Sequence, residues 1–313
     1  MNTRSLRFRS NRVRDIVGLF HEELDAMYGR GEVSVFCEML FEAFLGWDNV
    51  RLLTSGEQTI DQSDLLRFHW ALEDLKQYRP IQHIVGIMEF CGCRIAVSPD
   101  VLIPRPETEE IVSWTISQLP IPDPQLTILD LCTGSGCIAI ALKKAFPQAK
   151  VAAVDISDRA LEVARQNARN NGVEVRFVEG DLLSADFNFQ LPGVPSARPT
   201  TFNLIVSNPP YVRESERAAM QRNVLDYDPA LALFVPDDDP LRFYAAIADI
   251  AKGHLSADGL LVVEINEALA DESCALFRAQ GFATTLHTDF RGRHRWIAAK
   301  RQDSALKPLT SNL

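Results

Sequence analysis

An asparagine followed by two prolines and a tyrosine, Asn208-Pro209-Pro210-Tyr211, stands directly after the apolar run Leu204-Ile205-Val206. This order offers two fixed hydrogen-bond acceptors, the Asn208 side-chain oxygen and the Pro209 carbonyl, beside the flat face of an aromatic ring. Asparagine carries both acceptor and donor atoms, and proline contributes a carbonyl without an N–H of its own. Such a corner suits a planar NH2 group. The same residue types also make ordinary strand-to-loop turns, so the reading depends on what else the chain places nearby.

A second constellation lies upstream. Asp130-Leu131-Cys132-Thr133-Gly134-Ser135-Gly136-Cys137 ends an apolar run and opens a helix pattern at Ile138. Glycines at a strand-to-helix turn let the backbone pass close beneath a ligand, and the helix start offers unpaired N–H groups. Gly134, Gly136 and Ala139 also satisfy the dinucleotide fingerprint, with Asp155 near the spacing of a ribose-binding acid, so this stretch alone leaves a nicotinamide ligand open. Two features favour a sulfonium cofactor instead. Asp130 precedes Gly134 by four residues, where a carboxylate could meet an amino-acid ammonium, and Glu179-Gly180-Asp181 follows the third strand, where an adenine edge would lie. Asp155 is expected to accept from both ribose hydroxyls. The expected cofactor is S-adenosylmethionine. Its expected contacts are Asp130, Cys132, Thr133, Gly134, Ser135 and Gly136, then Asp155, Asp181, Leu182 and Asn208.

The elements that must position these groups alternate in type. Thr127 to Leu131, Val151 to Asp155, Val173 to Val178, Phe202 to Ser207 and Gly259 to Ile265 read as strands, separated by helix patterns such as Asp158 to Asn171 and Leu241 to Lys252. The alternation predicts an α/β fold, a mainly parallel Rossmann-like sheet with helices on both faces. Ligands in such sheets bind beyond the carboxyl ends of the strands, where these acids fall. Thr284 to Thr288 and Arg295 to Lys300 flank Arg291-Gly292-Arg293 as a terminal antiparallel hairpin. Leu191 to Pro199 reads as a surface loop.

Ahead of this region, three apolar series recur at helical spacing: Val13, Ile16, Val17, Phe20, Leu24 and Met27; Val35, Phe36, Met39, Leu40 and Ala43; Leu65, Phe68, Leu72 and Leu75. They predict a small helical bundle. Ile84 to Val97, broken by Gly86 and Gly92, predicts a linking β-hairpin. The expected divisions are residues 1–80 for the bundle, 81–100 for the hairpin, 101–302 for the α/β domain and 303–313 for a tail.

Of 313 residues, 46% are hydrophobic and 24% charged, the ordinary balance of a soluble globular protein. The net charge of -10 argues against broad non-specific nucleic-acid binding, which needs a concentration of Lys and Arg. Arg4, Arg7, Arg9, Arg12 and Arg14 form a local basic cluster, read as a solvated helix start. No apolar run approaches the ~20 residues of a membrane span, so a cytoplasmic protein without membrane contact is expected. Cys37, Cys91, Cys93, Cys132, Cys137 and Cys274 show no C-x-x-C pair and no histidine at zinc spacing, so no metal is expected. Cys91 and Cys93 are expected on one face of a strand.

With these residues in place, the chain resembles the glutamine methyltransferases that modify peptide chain release factors on the glutamine of their Gly-Gly-Gln loop. The resemblance rests on Pro80-Ile81-Gln82-His83-Ile84-Val85-Gly86, Leu102-Ile103-Pro104-Arg105-Pro106-Glu107-Thr108-Glu109, the stretch from Leu129 to Gly136, and Val206 to Val212. Asn208 to Tyr211 alone is shared with methylases of adenine's exocyclic amine; joined to Ile103 through Glu109 it is specific. A sister family acts on a large-subunit ribosomal protein and usually has a Ser-Pro element where this chain has Pro106 to Glu109.

The resemblance implies a class I S-adenosylmethionine-dependent methyltransferase domain, with Asn208, Pro209 and Tyr211 as catalytic residues. Pro210 and Leu102 would complete the substrate slot. Arg105, Glu107 and Glu109 would order the loop over the cofactor, and the helical domain would dock the release factor. The ribosomal-protein enzyme and an adenine methylase are the alternatives, the latter needing a recognition region and a basic channel for a flipped base. A nicotinamide oxidoreductase and a non-catalytic cofactor-binding assembly protein are rivals of other classes. Cys132 replaces a glycine often found in the family, a change tolerable if φ is not positive there. Val235-Pro236-Asp237-Asp238-Asp239-Pro240 replaces a Gly-rich turn after Asp228-Pro229-Ala230-Leu231, which leaves that loop's conformation open.

Overall fold

The computed structural model describes residues 8–119, 125–184 and 201–302. Arg4 and Arg7, the expected loop at 191–199 and the tail at 303–313 lie outside them. The described chain folds as two compact units, one running to Ile87 and including Gln221–Tyr227, the other comprising Met88–Met220 and the chain from Asp228 onward.

The first unit contains α1 (Val13–Tyr28), α2 (Arg30–Leu45), α3 (Asn49–Thr54), α4 (Gln62–Leu75) and α5 (Ile81–Val85). Ile16, Phe20 and Leu24 of α1 meet Phe36, Leu40 and Phe41 of α2 and Phe68 and Leu72 of α4 in one core. The α2 stripe differs from the expected one. Val33, Phe36, Cys37, Leu40 and Phe41 are buried, whereas Val35 is 49% exposed and Ala43 is exposed. Residues 33, 37 and 40 follow i, i+4, i+7 and share a face, while residue 35 projects from another side. The short helix α5 occupies residues expected to begin the hairpin. It starts after Pro80 and ends at Gly86, whose φ of 79° lies in the left-handed region that glycine adopts freely.

The hairpin itself is β1 (Ile87–Phe90) and β2 (Cys93–Ala96). Cys91 (φ 47°) and Gly92 (φ 69°) are both left-handed, as a two-residue hairpin turn requires. Cys91 therefore sits in the turn, and the expectation that it shares a strand face with Cys93 is corrected.

The second unit continues with α6 (Pro106–Gln118), β3 (Thr127–Leu131), α7 (Cys137–Ala145), β4 (Lys150–Asp155), α8 (Asp158–Asn170), β5 (Arg176–Glu179), β6 (Phe202–Ser207) and β7 (Val212–Arg213). The 3-10 turn Glu214–Ala219 leads to α9 (Arg222–Leu225), which belongs to the first unit. The chain returns with α10 (Ala230–Leu233), β8 (Phe234–Val235), α11 (Arg242–His254), β9 (Leu255–Glu264), α12 (Ala270–Ala279), β10 (Phe282–Thr288) and β11 (His294–Arg301). Among the described residues the main sheet has the order β10-β11-β9-β6-β3-β4-β5. Strands β3, β4, β5, β6 and β9 are parallel, and β11 runs against both its neighbours. The order reverses between β3 and β6, which creates a crevice at the carboxyl ends of those strands.

Alternate residues of each strand serve opposite faces. Ile128, Leu204, Val206 and Val262 join α6, α7 and α8; Leu129, Leu131, Ile205 and Val263 join α11 and α12. Burial on both faces explains the nearly unbroken apolar strands. Parallel pairing of β7 with β8 fixes Val235, and the Asp237 carboxylate accepts from Ser215 N at 3.1 Å and from the Ser215 hydroxyl. These contacts supply the conformation that the sequence left open for the 235–240 loop.

Candidate functional site

A cavity opens at the reversal point of the sheet. Its walls are the segments that follow four parallel strands: Cys132 to Ser135 after β3, Asp155 to Ser157 after β4, Gly180 to Leu183 after β5, and Asn208 with Pro210 after β6. Leu102, Pro104 and Thr108 close one side, and Leu231 and Phe243 another. Thus Leu102, Cys132, Thr133, Gly134, Ser135, Asp155, Asp181, Leu182, Asn208 and Pro210 come together as expected site residues.

Four expected residues stand behind the wall. Asp130 is fully buried and, as an even-numbered residue of β3, points toward α7 with Ile128. Its Oδ2 accepts from the Thr133 hydroxyl at 2.6 Å and from Ala139 N at 3.2 Å, while Oδ1 has no partner among the described residues. Burial pushes its pKa up to about 7, against the pull of those two hydrogen bonds. Gly136, also off the wall, has φ 79°, and a Cβ there would lie 3.0 Å from Ala164 Cβ. Its bareness lets α7 approach α8. Pro209 and Tyr211 are likewise absent from the lining. Tyr211 packs beside the core on the α11 and α12 side and donates its hydroxyl to Glu264 Oε1 at 2.9 Å, which corrects its expected place as a wall of the slot.

Asp155 combines exposure to the cavity with firm support. Its Oδ2 accepts from Gly134 N at 2.8 Å and its Oδ1 from Ser157 N at 3.0 Å. Each carboxylate oxygen has capacity for a further donor. Burial raises its pKa, opposed by these backbone bonds. The backbone between the two acidic strands is tied by Thr133 N to the Val154 carbonyl at 3.0 Å.

Cys132 has φ 59°. The condition under which the glycine replacement was expected to be innocuous is not met: the thiol-bearing residue occupies the left-handed region, which costs an L residue about 1–2 kcal/mol.

Asn208 is oriented by residues that sequence reasoning did not assign to the chemistry. Its Nδ2 donates to Thr108 Oγ1 at 3.3 Å, and that hydroxyl donates to Glu264 Oε2 at 2.8 Å. Glu264 is 2% exposed, and burial raises its pKa. Asn266 steadies the motif from below, donating to the Tyr211 carbonyl at 3.0 Å. Ser207 donates to the Leu131 carbonyl at 2.7 Å and so locks the ends of β6 and β3 together. Glu264 had a legible signal: a carboxylate closing the apolar strand Leu260-Leu261-Val262-Val263, at the same sheet edge as Asp130 and Asp155.

The acidic motif around α6 is distributed differently from expectation. Arg105 pairs with Asp228, whose side chain is 1% exposed, and so joins the segment before α6 to the one before α10. Glu107 instead faces Arg291 at 3.9 Å. Glu109 accepts from Cys91 N at 3.4 Å. Ordering of a cofactor loop by Glu107 and Glu109 is therefore corrected; Arg105 alone of the three holds a segment next to the cavity.

The chain is similar to known proteins over most of its length. The methyltransferase small domain family matches residues 115–227, and the PrmC N-terminal domain family matches residues 28–86. The release factor glutamine methyltransferase of Flavobacterium psychrophilum is 42% identical over 282 residues, 89% of this chain and 95% of its own length. The protein of the same name from Bacteroides thetaiotaomicron is 38% identical over 287 residues, 91% and 99% of the two chains. That from Deinococcus radiodurans is 35% identical over 269 residues, 86% and 91%. At this identity and coverage, the chain belongs to the release factor glutamine methyltransferase family.

Proposed function

We propose that this protein transfers a methyl group from S-adenosylmethionine to the side-chain amide nitrogen of the glutamine in the Gly-Gly-Gln motif of peptide chain release factors, in the cytoplasm. The observation that carries the reading is Asn208 on the cavity wall, with its NH2 end engaged by Thr108 and its Oδ1 left to accept.

The residues around the cavity fit the cofactor. Gly134 has φ 53°, and no heavy atom lies within 4 Å of where its Cβ would stand, so its backbone forms a bare cradle. Asp155 suits a ribose diol. Ile156 is 46% exposed although apolar and, with Leu182, suits a flat aromatic base; Thr133, Gly134 and Asp181 complete the set. Bound there, S-adenosylmethionine supplies a sulfonium methyl: as the N–C bond forms the C–S bond breaks, its electron pair stays on sulfur, and the amide proton leaves to solvent.

The chain's own contribution is placement. An amide nitrogen is a poor nucleophile because its lone pair is delocalised into the carbonyl, and a fixed orientation replaces a random encounter. Asn208 Oδ1 accepts one N–H of the substrate amide, and the Pro209 carbonyl is the proposed second acceptor. Acceptors aimed at the N–H bonds also stabilise the positive charge that grows on nitrogen. A strong base is not needed before transfer, because the proton departs from a far more acidic cationic amide. Among the described residues that line the cavity there is neither His nor Lys, in keeping with that scheme. The first unit exposes Leu53 (78%) and Trp70 (60%) and is the proposed docking face.

Transfer of labelled methyl from S-adenosylmethionine to a purified release factor tests the reading, beside a factor whose Gly-Gly-Gln glutamine is replaced by alanine. Label on the unaltered factor alone supports substrate, reaction and site together. Label on neither withdraws the release factor as substrate.

A further inference from the structure

Glu264 ends β9 with its carboxylate enclosed by hydroxyl groups. Thr108 Oγ1 lies 2.8 Å from Oε2 and Tyr211 Oη 2.9 Å from Oε1. Thr108 Oγ1 also lies 3.3 Å from Asn208 Nδ2. We infer that Glu264, acting through Thr108, is a positioning residue that selects which end of the Asn208 amide faces the cavity. The inference rests on the reading of Asn208 as the acceptor for the substrate NH2 group.

The selection follows from proton counting. An ionised carboxylate accepts and never donates, and a hydroxyl carries a single proton. Thr108 must therefore aim its proton at Glu264, which leaves only lone pairs for Asn208. Asn208 can meet those lone pairs only with its NH2 end, so Oδ1 turns to the cavity. The flipped amide would set its oxygen against the threonine oxygen, with no proton between them. Tyr211 donates to the other carboxylate oxygen, so both hydroxyls help to hold the charge. Burial raises the Glu264 pKa, and the hydrogen bonds from Thr108 and Tyr211 and the charge of Arg295 oppose that rise; the selection operates in the ionised form. Arg295 is fixed in turn on Asp289 at 3.1 Å.

A neutral amide at position 264 would lift the constraint, because its NH2 end could donate to Thr108 and let that hydroxyl donate to Asn208 Oδ1. An NH2 group would then face the NH2 group of the substrate. Loss of the threonine hydroxyl would leave Asn208 without its fixed partner.

The test compares Glu264→Gln, Thr108→Val, Thr108→Ser and Asn208→Ala. It reads kcat and KM with a release factor, S-adenosylmethionine affinity by calorimetry, and the side-chain amide spectrum of protein labelled with nitrogen-15 at asparagine. Asn208→Ala identifies the Asn208 signal. Glu264→Gln and Thr108→Val should lower kcat on the order of a hundredfold, the size of one preorganised hydrogen-bonding group. Both should leave KM and cofactor affinity within a few-fold and shift the Asn208 amide signal. Thr108→Ser, which keeps the hydroxyl, should restore kcat and the signal.

Wild-type kcat with an unshifted signal in Thr108→Val overturns the inference, as does a Thr108→Ser enzyme as slow as Thr108→Val, which would mark a packing role for the methyl group. If Glu264→Gln fails to fold, the two Thr108 variants decide. Turnover by Asn208→Ala would remove the underlying reading of Asn208. An inactive Asn208→Ala beside a fully active Thr108→Val would remove the positioning role alone.

Discussion

Gly134 and Gly136 lie two residues apart, both at positive φ, yet alanine should injure the protein differently at each. At Gly136 a Cβ would stand 3.0 Å from Ala164 Cβ, 3.2 Å from Ile140 Cδ1 and 3.3 Å from Ala164 Cα. The left-handed conformation costs an L residue about 1–2 kcal/mol. Crowding of a packed contact costs about 1–3 kcal/mol, and the stiffer unfolded chain returns about 0.4–1 kcal/mol. Gly136→Ala should therefore lose roughly 3 kcal/mol. Gly134 has φ 53° and no neighbour within 4 Å of its Cβ position, so the crowding cost vanishes and a loss of about 1 kcal/mol remains. Its Cβ would instead enter the space assigned to S-adenosylmethionine, and affinity should fall at least tenfold. Urea unfolding gives the first quantity, and calorimetric titration gives the second. Equal stability losses in the two variants, or a Gly134→Ala protein that binds the cofactor like wild type, would refute this division of labour.

Asn208→Ala should abolish turnover while S-adenosylmethionine affinity stays within a few-fold, measured by methyl transfer and calorimetry; turnover near wild type would remove Asn208 from the mechanism. Arg105→Ala strands the buried Asp228 carboxylate and should cost about 2 kcal/mol in urea unfolding, less than a fully enclosed pair because Arg105 keeps contact with water. A double-mutant cycle with Asp228→Asn should recover part of that loss; strict additivity would deny the coupling. For Asp130 the folded pKa of about 7 exceeds the ordinary value of 3.8, so the folded state binds its proton more tightly. Stability from this group is complete below the ordinary value and declines as pH rises toward 7, by up to about 4 kcal/mol. Asp130→Asn should flatten that window in pH-dependent unfolding, and an unchanged slope would contradict the assignment.

The strands were legible where composition and length agreed. Thr127 to Leu131 and Phe202 to Ser207 were bounded to the residue, because two-sided burial demands unbroken apolar runs. Residues 173–175 were not strand, since β5 is an edge strand that begins only at Arg176, and edge burial leaves a weaker pattern. The acids at the strand ends were visible, but their depth was not: period-two alternation sends Asp130 behind the wall, and its distance from the cavity depends on how α7 packs. Tyr211 was misplaced for a similar reason, as nothing local announces that Glu264, 53 positions later, draws its hydroxyl away. Cys132 gives no sign of its positive φ, because the turn geometry is imposed by Gly134, Gly136 and the strand pairing around it. The helix α9 escaped notice because four residues carry no readable period.

The membership of Gln221–Tyr227 in the first unit bears on synthesis. Tyr227 donates its hydroxyl to the Gln77 carbonyl at 3.0 Å, and the Arg222 guanidinium lies 4.9 Å from the centre of the Tyr78 ring. On the ribosome, residues up to Ile87 emerge well before this segment exists, and at about 5–20 residues per second the wait is on the order of 10 s. During that interval the bundle has an uncovered edge around Gln77 and Tyr78 that only later chain can fill. A nascent chain halted before residue 221 would thus carry an incomplete first unit, and a gene fragment encoding that unit alone would need the 221–227 piece grafted back to close it.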